Sequence, residues 1–360
     1  MAERPRDPVD RKSDRSVDLY EIADWEVRSV FDRLVYFLYY AGQWALRGIV
    51  ILLALAILVF LIAPPLVGAL GAQPLFAVLA AMSAIPALVL TAYIWYADVT
   101  TQEPLTLLVG TFMLGVLFAG FAAILNGVFR GPVQFVGSGF GLIPFFGQVA
   151  FFFLIVGPIE ESVKLLAVRL YAFRDDRFDA VIDGAVYGAM AGLGFATIEN
   201  VLYIVQNTEM VTGAFQAINE GSGIAAVRAL AGPGHVIYSA FAGYYLGLAK
   251  FNPDDAGPII LKGLLIAAFI HATYNLLVGI VPAIVKLVVP GVPDLVLFFG
   301  FVVVYIGLFF FILYRKLERY RRQYHAVSED VEDPAELEPE LTEFDADATA
   351  ATGPDDLAGD

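Results

Sequence analysis

Residues 151–164 read FFFLIVGPIEESVK. The first nine would serve as any membrane helix; then Glu160 and Glu161 stand side by side, with Lys164 a turn later. A charged side chain costs about 2.5–3.5 kcal/mol at the centre of a membrane helix on insertion scales, and neighbouring carboxylates also repel one another. A pair kept in such a run is a candidate functional site. Whether the run lies in a membrane decides the fold.

Composition places it there. Of 360 residues 59% are hydrophobic, and the mean hydropathy of +0.71 is far above that of a soluble domain. The expected class is all-α and polytopic. Apolar runs long enough to cross a bilayer fall at approximately 46–69, 75–96, 105–126, 148–170, 180–204, 229–250, 258–281 and 294–315, about eight spans. Between the third and fourth, Asn126 to Gly147 is rich in Gly, Phe and Pro and reads as too irregular to span. Ahead of the first run, Trp25 to Trp44 spaces apolar and charged residues as an interfacial helix does.

This divides the chain into three parts. Residues 1–45 form a cytosolic arm and interfacial helix, 46–315 the transmembrane domain with its core at 148–281, and 316–360 a cytosolic tail. From Ser328 to Asp360 the tail carries thirteen acids and no Lys or Arg, the composition of a solvated disordered segment. Lys and Arg crowd the segment before the first span and the residues after the last, Arg315, Lys316, Arg319, Arg321 and Arg322. By the positive-inside rule both termini are cytosolic, in a multi-pass protein of the cell membrane.

There is no cysteine, which excludes disulfides, thiolate nucleophiles and cysteine-held metals. Of three histidines, His325 sits in the charged tail, so His235 and His271 are the imidazoles available to the membrane region. Polar groups that a bilayer should exclude fall on four consecutive spans: Glu160, Glu161 and Lys164; Glu199 and Asn200; His235; His271 and Asn275. Glu160 and Lys164 are i,i+4 partners, as are His271 and Asn275. At 1.5 Å per residue Glu160 and His271 lie about 15 Å from the outer ends of their spans, and Glu199 and His235 about 9 Å. Residues spread over more than a hundred positions thus share one depth, between the midplane and the outer face. Gly184, Gly188 and Gly192, at four-residue intervals, read as a helix-packing stripe.

Two Glu and two His suit hydrolysis in two ways. In one, His235, His271 and Glu199 hold Zn2+ and Glu160 or Glu161 is the base. In the other no metal takes part: a glutamate activates water while His271 and Asn275 stabilise the oxyanion. Intramembrane Glu, His and Lys also build proton relays, so a proton- or ion-coupled transporter is the rival class. Inverted repeats would mark that rival, and the two halves of the sequence show no internal similarity.

In order along the chain, Asp98 with Gln102-Glu103-Pro104, Glu160-Glu161-Ser-Val-Lys164, Asp183-Gly184, Phe195-Ala-Thr-Ile-Glu199-Asn200, Pro233-Gly-His235 and His271-Ala-Thr-Tyr-Asn275 resemble the motifs of the PrsW family. These are intramembrane peptidases of the CAAX-protease and bacteriocin-processing superfamily. The resemblance covers roughly residues 75 to 281. It implies a CAAX-protease-like helical core and an endopeptidase acting on membrane-anchored proteins within the lipid bilayer, with no nucleic-acid partner. It further implies Glu160 as base, Glu161 as its partner, and His271 with Asn275 as the oxyanion pair. Where the superfamily's second motif reads Phe-x-x-x-His, this chain reads Phe195-x-x-x-Glu199, and His235 is the candidate replacement. A non-proteolytic member of the same fold is the further alternative.

Overall fold

The computed structural model describes residues 27–64, 67, 75–100, 103–139, 144–208 and 214–332. Most of the expected N-terminal arm, the end of the first span, Gln102 and the tail beyond 332 lie outside the described residues. Among the described residues the protein is all helix, with no strand. The chain forms two compact units, residues 1–68 and 69–360, each taken by itself.

In the first unit, α1 (Val30–Ile57) continues into a π-helical turn, Leu58–Ile62. A capping box starts it: the Ser29 hydroxyl accepts from the Asp32 N–H, and the Asp32 carboxylate accepts from the Ser29 N–H. The expected interfacial helix and first span are therefore one continuous helix.

The second unit holds α2 (Leu75–Tyr96), α3 (Leu105–Gly139), α4 (144–170), α5 (Val181–Thr208), α6 (Ala214–Lys250), α7 (Ala256–Val288) and α8 (Asp294–Glu332). Among the described residues six helices are long and apolar enough to cross a membrane. The other two long helices, α4 and α6, carry Glu160, Glu161 and Lys164, and Arg228 and His235. One sequence expectation is corrected: the segment after Asn126 does not break off as irregular chain, because α3 runs on to Gly139 with Pro132 inside it. Gly and Pro are tolerated within membrane helices, where neighbouring groups re-satisfy the backbone.

The long helix α5 is the axis of the unit. It packs most extensively on α6, with α2 and α3 on its other sides, while α4 bridges α3 and α7. The glycine stripe explains the closeness of the α5–α6 pair, since a Cβ at Gly192 would collide with the carbonyl oxygen of His235. Helix α4 contains a π-helical turn, Phe151–Val156, in which the Gly157 N–H donates to the Phe152 carbonyl. Pro158 lies just beyond it; having no N–H and a ring that crowds the preceding turn, proline favours such a break in register. Gly157 lets α7 come close, because a Cβ there would meet the Ala268 carbonyl oxygen.

Candidate active site

The π turn and the close α4–α7 contact bring the carboxylate pair against the two imidazoles. Glu161 is fully buried and every part of it is used. Its Oε1 accepts from Lys164 Nζ at 2.7 Å and faces His271 Nδ1 at 2.8 Å, and its Oε2 accepts from the Ser239 hydroxyl at 3.3 Å. A carboxylate offers only acceptors, so His271 carries its hydrogen on Nδ1 and turns a lone pair on Nε2 toward the site. That nitrogen lies 3.7 Å from Glu160 Oε2.

Lys164 has two acids within reach, the expected Glu160 among them. The lysine pairs with Glu161, one residue nearer, and stands 4.0 Å from Glu160 Oε2. Its remaining valences go to His235 Nδ1 at 2.9 Å and to the face of Phe195, 4.3 Å below the ammonium. Glu160 is held from another side: Asn126 Nδ2 donates to its Oε1 at 3.0 Å, which leaves Oε2 buried without a hydrogen-bond partner. An unpaired buried carboxylate oxygen is costly unless something else arrives to use it.

His235 is fixed through both nitrogens. Lys164 can only donate, so Nδ1 accepts and Nε2 carries the hydrogen, directed at Glu199 Oε2 at 2.7 Å. The same Glu199 oxygen takes Arg228 Nη2 at 2.6 Å. Arg228 Nε donates to Asn200 Oδ1 at 2.9 Å, and Asn200 Nδ2 reaches Ser83 on α2. Arg228 and His235 are seven residues apart on α6, hence on one face, and Glu199 bridges them from α5.

Glu160, Glu199, His235, His271 and Asn275 all line one cavity of about 550 Å³, to which Asn126, Arg228 and Tyr238 also contribute. The Asn275 carboxamide has no hydrogen-bond partner among the described residues. The Tyr238 ring stacks on His271 with centroids 5.1 Å apart. A larger groove of about 1450 Å³ lies among α6, α7 and α8 and includes none of these residues; the titratable chemistry is in the smaller, more enclosed cavity.

The expected His235–His271–Glu199 metal set does not form. The grouping with donor atoms mutually within 4.8 Å is Glu160, His235 and His271. Glu199 is drawn away because Arg228, buried on the same face as His235, needs a counter-charge. The orphaned Glu160 oxygen and the free His271 nitrogen fit a metal ion, with the hydrogen bond from His271 Nδ1 to Glu161 orienting the ligand as carboxylates behind metal-binding imidazoles do. Sequence reading missed Asn126, Arg228, Tyr238 and Ser239. The first two had a signal, an amide and a guanidinium within reach of apolar helix; the last two had none.

A bundle of apolar helices around an enclosed carboxylate–imidazole centre defines the class: a polytopic membrane hydrolase. The profile of the PrsW family intramembrane metalloproteases matches residues 103–311. The chain is 30% identical over 191 residues to Protease PrsW of Geobacillus kaustophilus, covering 53% of this chain and 75% of that one. It is 30% identical over 203 residues to Protease PrsW of Bacillus subtilis, covering 56% and 82%, and 25% identical over 202 residues to that of Clostridioides difficile, covering 55% and 78%. No solved structure matches the chain. The chain belongs to the PrsW family, and it is an intramembrane protease.

Proposed function

We propose that the protease cleaves membrane-anchored proteins with water activated at Glu160, in a cavity that opens between the midplane and the outer face of the cell membrane, both chain termini being cytosolic. The observation that carries this reading is the Glu160 Oε2 atom: buried, unpartnered, facing the cavity and 3.7 Å from His271 Nε2. Arg228 binds Glu199 inside the bundle, so it does not weigh against the Lys/Arg asymmetry that supports this topology.

In this mechanism Asn126 fixes one Glu160 oxygen, so the other receives the proton of the attacking water. The hydroxide adds to the scissile carbonyl carbon, and negative charge develops on the carbonyl oxygen. Asn275 donates an amide N–H to that oxygen, beside His271 on the next turn up. The tetrahedral species collapses as Glu160 returns the proton to the leaving amine. Glu161 is the positioning partner: tied to Lys164 and Ser239, it holds His271 in one tautomer and orientation. Lys164 and Asn200 support the site through His235 and Arg228.

A metal is compatible with the same residues. Glu160 and His271 would hold a divalent ion such as Zn2+, and His235 would join them only by giving up its Nε2 hydrogen and the bond to Glu199; the ion would supply Lewis-acid polarisation of a carbonyl and acidification of water. The two readings divide at Glu160, base in one and ligand in the other. Co-expression with tagged single-span proteins tests both: the expected result is loss of cleavage in Glu160→Gln, Glu161→Gln and His271→Ala. Unchanged product in the first two would overturn the site assignment. Chelator-resistant cleavage by protein free of bound zinc would remove the metal reading.

A further inference from the structure

At the other end of α5, sixteen residues before Glu199 and so about 24 Å along the helix, three carboxylates converge. Asp98 and Glu103 come from the connection between α2 and α3, and Asp183 from the first turn of α5. Each offers an oxygen within 4.8 Å of the others. Glu103 is 4% exposed and Asp183 is fully buried.

The hydrogen bonds sort their oxygens into two sets. Asp183 Oδ2 accepts the N–H groups of Asp179 and Ala180, both at 2.8 Å. Asp98 Oδ1 accepts the Thr100 N–H at 3.0 Å and its hydroxyl at 2.7 Å. Glu103 Oε2 accepts the Tyr187 hydroxyl. The second oxygens of Asp98 and Glu103 are buried and have no partner. That of Asp183 has only Thr100 Oγ1 at 3.4 Å, a hydroxyl whose hydrogen is already given to Asp98. No Lys, Arg or His among the described residues pairs with any of the three. The nearest candidate, Lys250, spends its ammonium on the carbonyls of Phe173 and Asp175, at 3.0 and 3.1 Å.

We propose that Asp98, Glu103 and Asp183 bind a hard divalent cation of the Ca2+ or Mg2+ class, a second site distinct from the active site. Three carboxylates with one face pinned by donors and the other left bare are a preorganised oxygen cage, and oxygen-only donors select hard cations over Zn2+. Bound there, the ion ties the α2–α3 connection to the start of α5. The alternative use of the bare oxygens is to share protons: burial pushes Glu103 up to about 8, its carboxylate neighbours adding to the effect.

The test uses the full chain in detergent, stripped with chelator and then titrated calorimetrically with Ca2+ and with Mg2+ while thermal unfolding is followed. The expected result is one bound ion per chain with a rise in Tm. Affinity should fall by about tenfold or more in Asp183→Asn and in Glu103→Gln, where ligand charge is lost, and persist in His271→Ala, which touches only the active site. Unfolding in chelator checks that each variant folds. A wild-type chain that takes up neither ion and keeps its Tm overturns the proposal in favour of shared protons, and so does undiminished binding by both carboxamide variants. Cleavage activity is not the readout, so failure here leaves the protease reading intact.

Discussion

The two ends of α5 solve the problem of buried charge in opposite ways. Around Glu199 every acid has a cation or imidazole against it: Glu161 with Lys164 and His271, Glu199 with Arg228 and His235. Around Asp183 there are acids only, answered by backbone N–H groups, Tyr187 and Thr100. A charge-balanced network can close on itself and needs nothing from outside except where it leaves a carboxylate oxygen bare, as at Glu160 Oε2. An unbalanced cluster must take up either protons or a cation. The loose acceptors of the first region, Glu160 Oε2 and His271 Nε2, are where we propose the chemistry, whereas the bare oxygens of the second are the proposed cation site.

The sharpest way to break this contrast is at the bare oxygen of the balanced end. Glu160→Gln should lower cleavage by about 10²–10⁴-fold, the usual worth of a positioned acid or base, with little change in Tm; a mild defect would mean that Glu160 is merely structural. Next in size, Arg228→Ala leaves the half-buried Glu199 with its main cation gone and should cost up to about 3 kcal/mol, the low end for a buried pair, read by chemical or thermal unfolding in detergent. Asp183→Asn in chelator should instead be neutral or stabilising, because it removes charge from a cluster that has too much of one sign. If both variants destabilise alike, the two ends do not differ as described. A smaller effect is expected for Gly192→Ala, whose methyl must push α6 away at the His235 carbonyl; about 1–3 kcal/mol of overpacking strain should appear together with reduced cleavage. The exposed pair of Asp175 with Arg177 at 2.7 Å is the control. Arg177 holds the Asp175 carboxyl down at about 2, so the small stability it lends is present above the ordinary carboxylate pKa and is lost only as pH falls through about 2. Asp175→Asn should therefore change stability by less than about 1 kcal/mol at neutral pH.

How much of this was legible in the sequence follows from what apolar runs can report. Glu160, Glu161, His235 and His271 stood out because charge and imidazole are expensive in a membrane helix, and their shared depth followed from counting residues. Depth does not specify which faces meet. Depth therefore groups Glu199 with both histidines, whereas its contacts are His235 and Arg228, the latter one residue ahead of the expected sixth span. Asn126 escapes in the same way, because it stands at the expected end of a span whose helix runs on to Gly139. The π turn in α4 is invisible to a 3.6-residue period, yet it resets the face that the residues before it present relative to Glu160 and Glu161. Asp98, Glu103 and Asp183 were each visible as motif residues, but their meeting depends on how a loop folds against the start of α5, which no periodicity encodes.

The π turn at Phe151–Val156 has a further consequence, in the vocabulary of insertions and deletions. Such a turn holds one residue more than the α-helical turn it replaces, so the chain before it is rotated by about 100° relative to the chain after it. Removing one residue from this segment would return α4 to an unbroken α-helix while leaving Gly157, Glu160 and Glu161 seated against Ala268 and His271. A deletion between Gly157 and Glu161 would instead turn the glutamates about 100° away from the contact with Ala268. The segment is thus a place in the middle of α4 where the length of the gene can change by a codon without displacing the carboxylate pair.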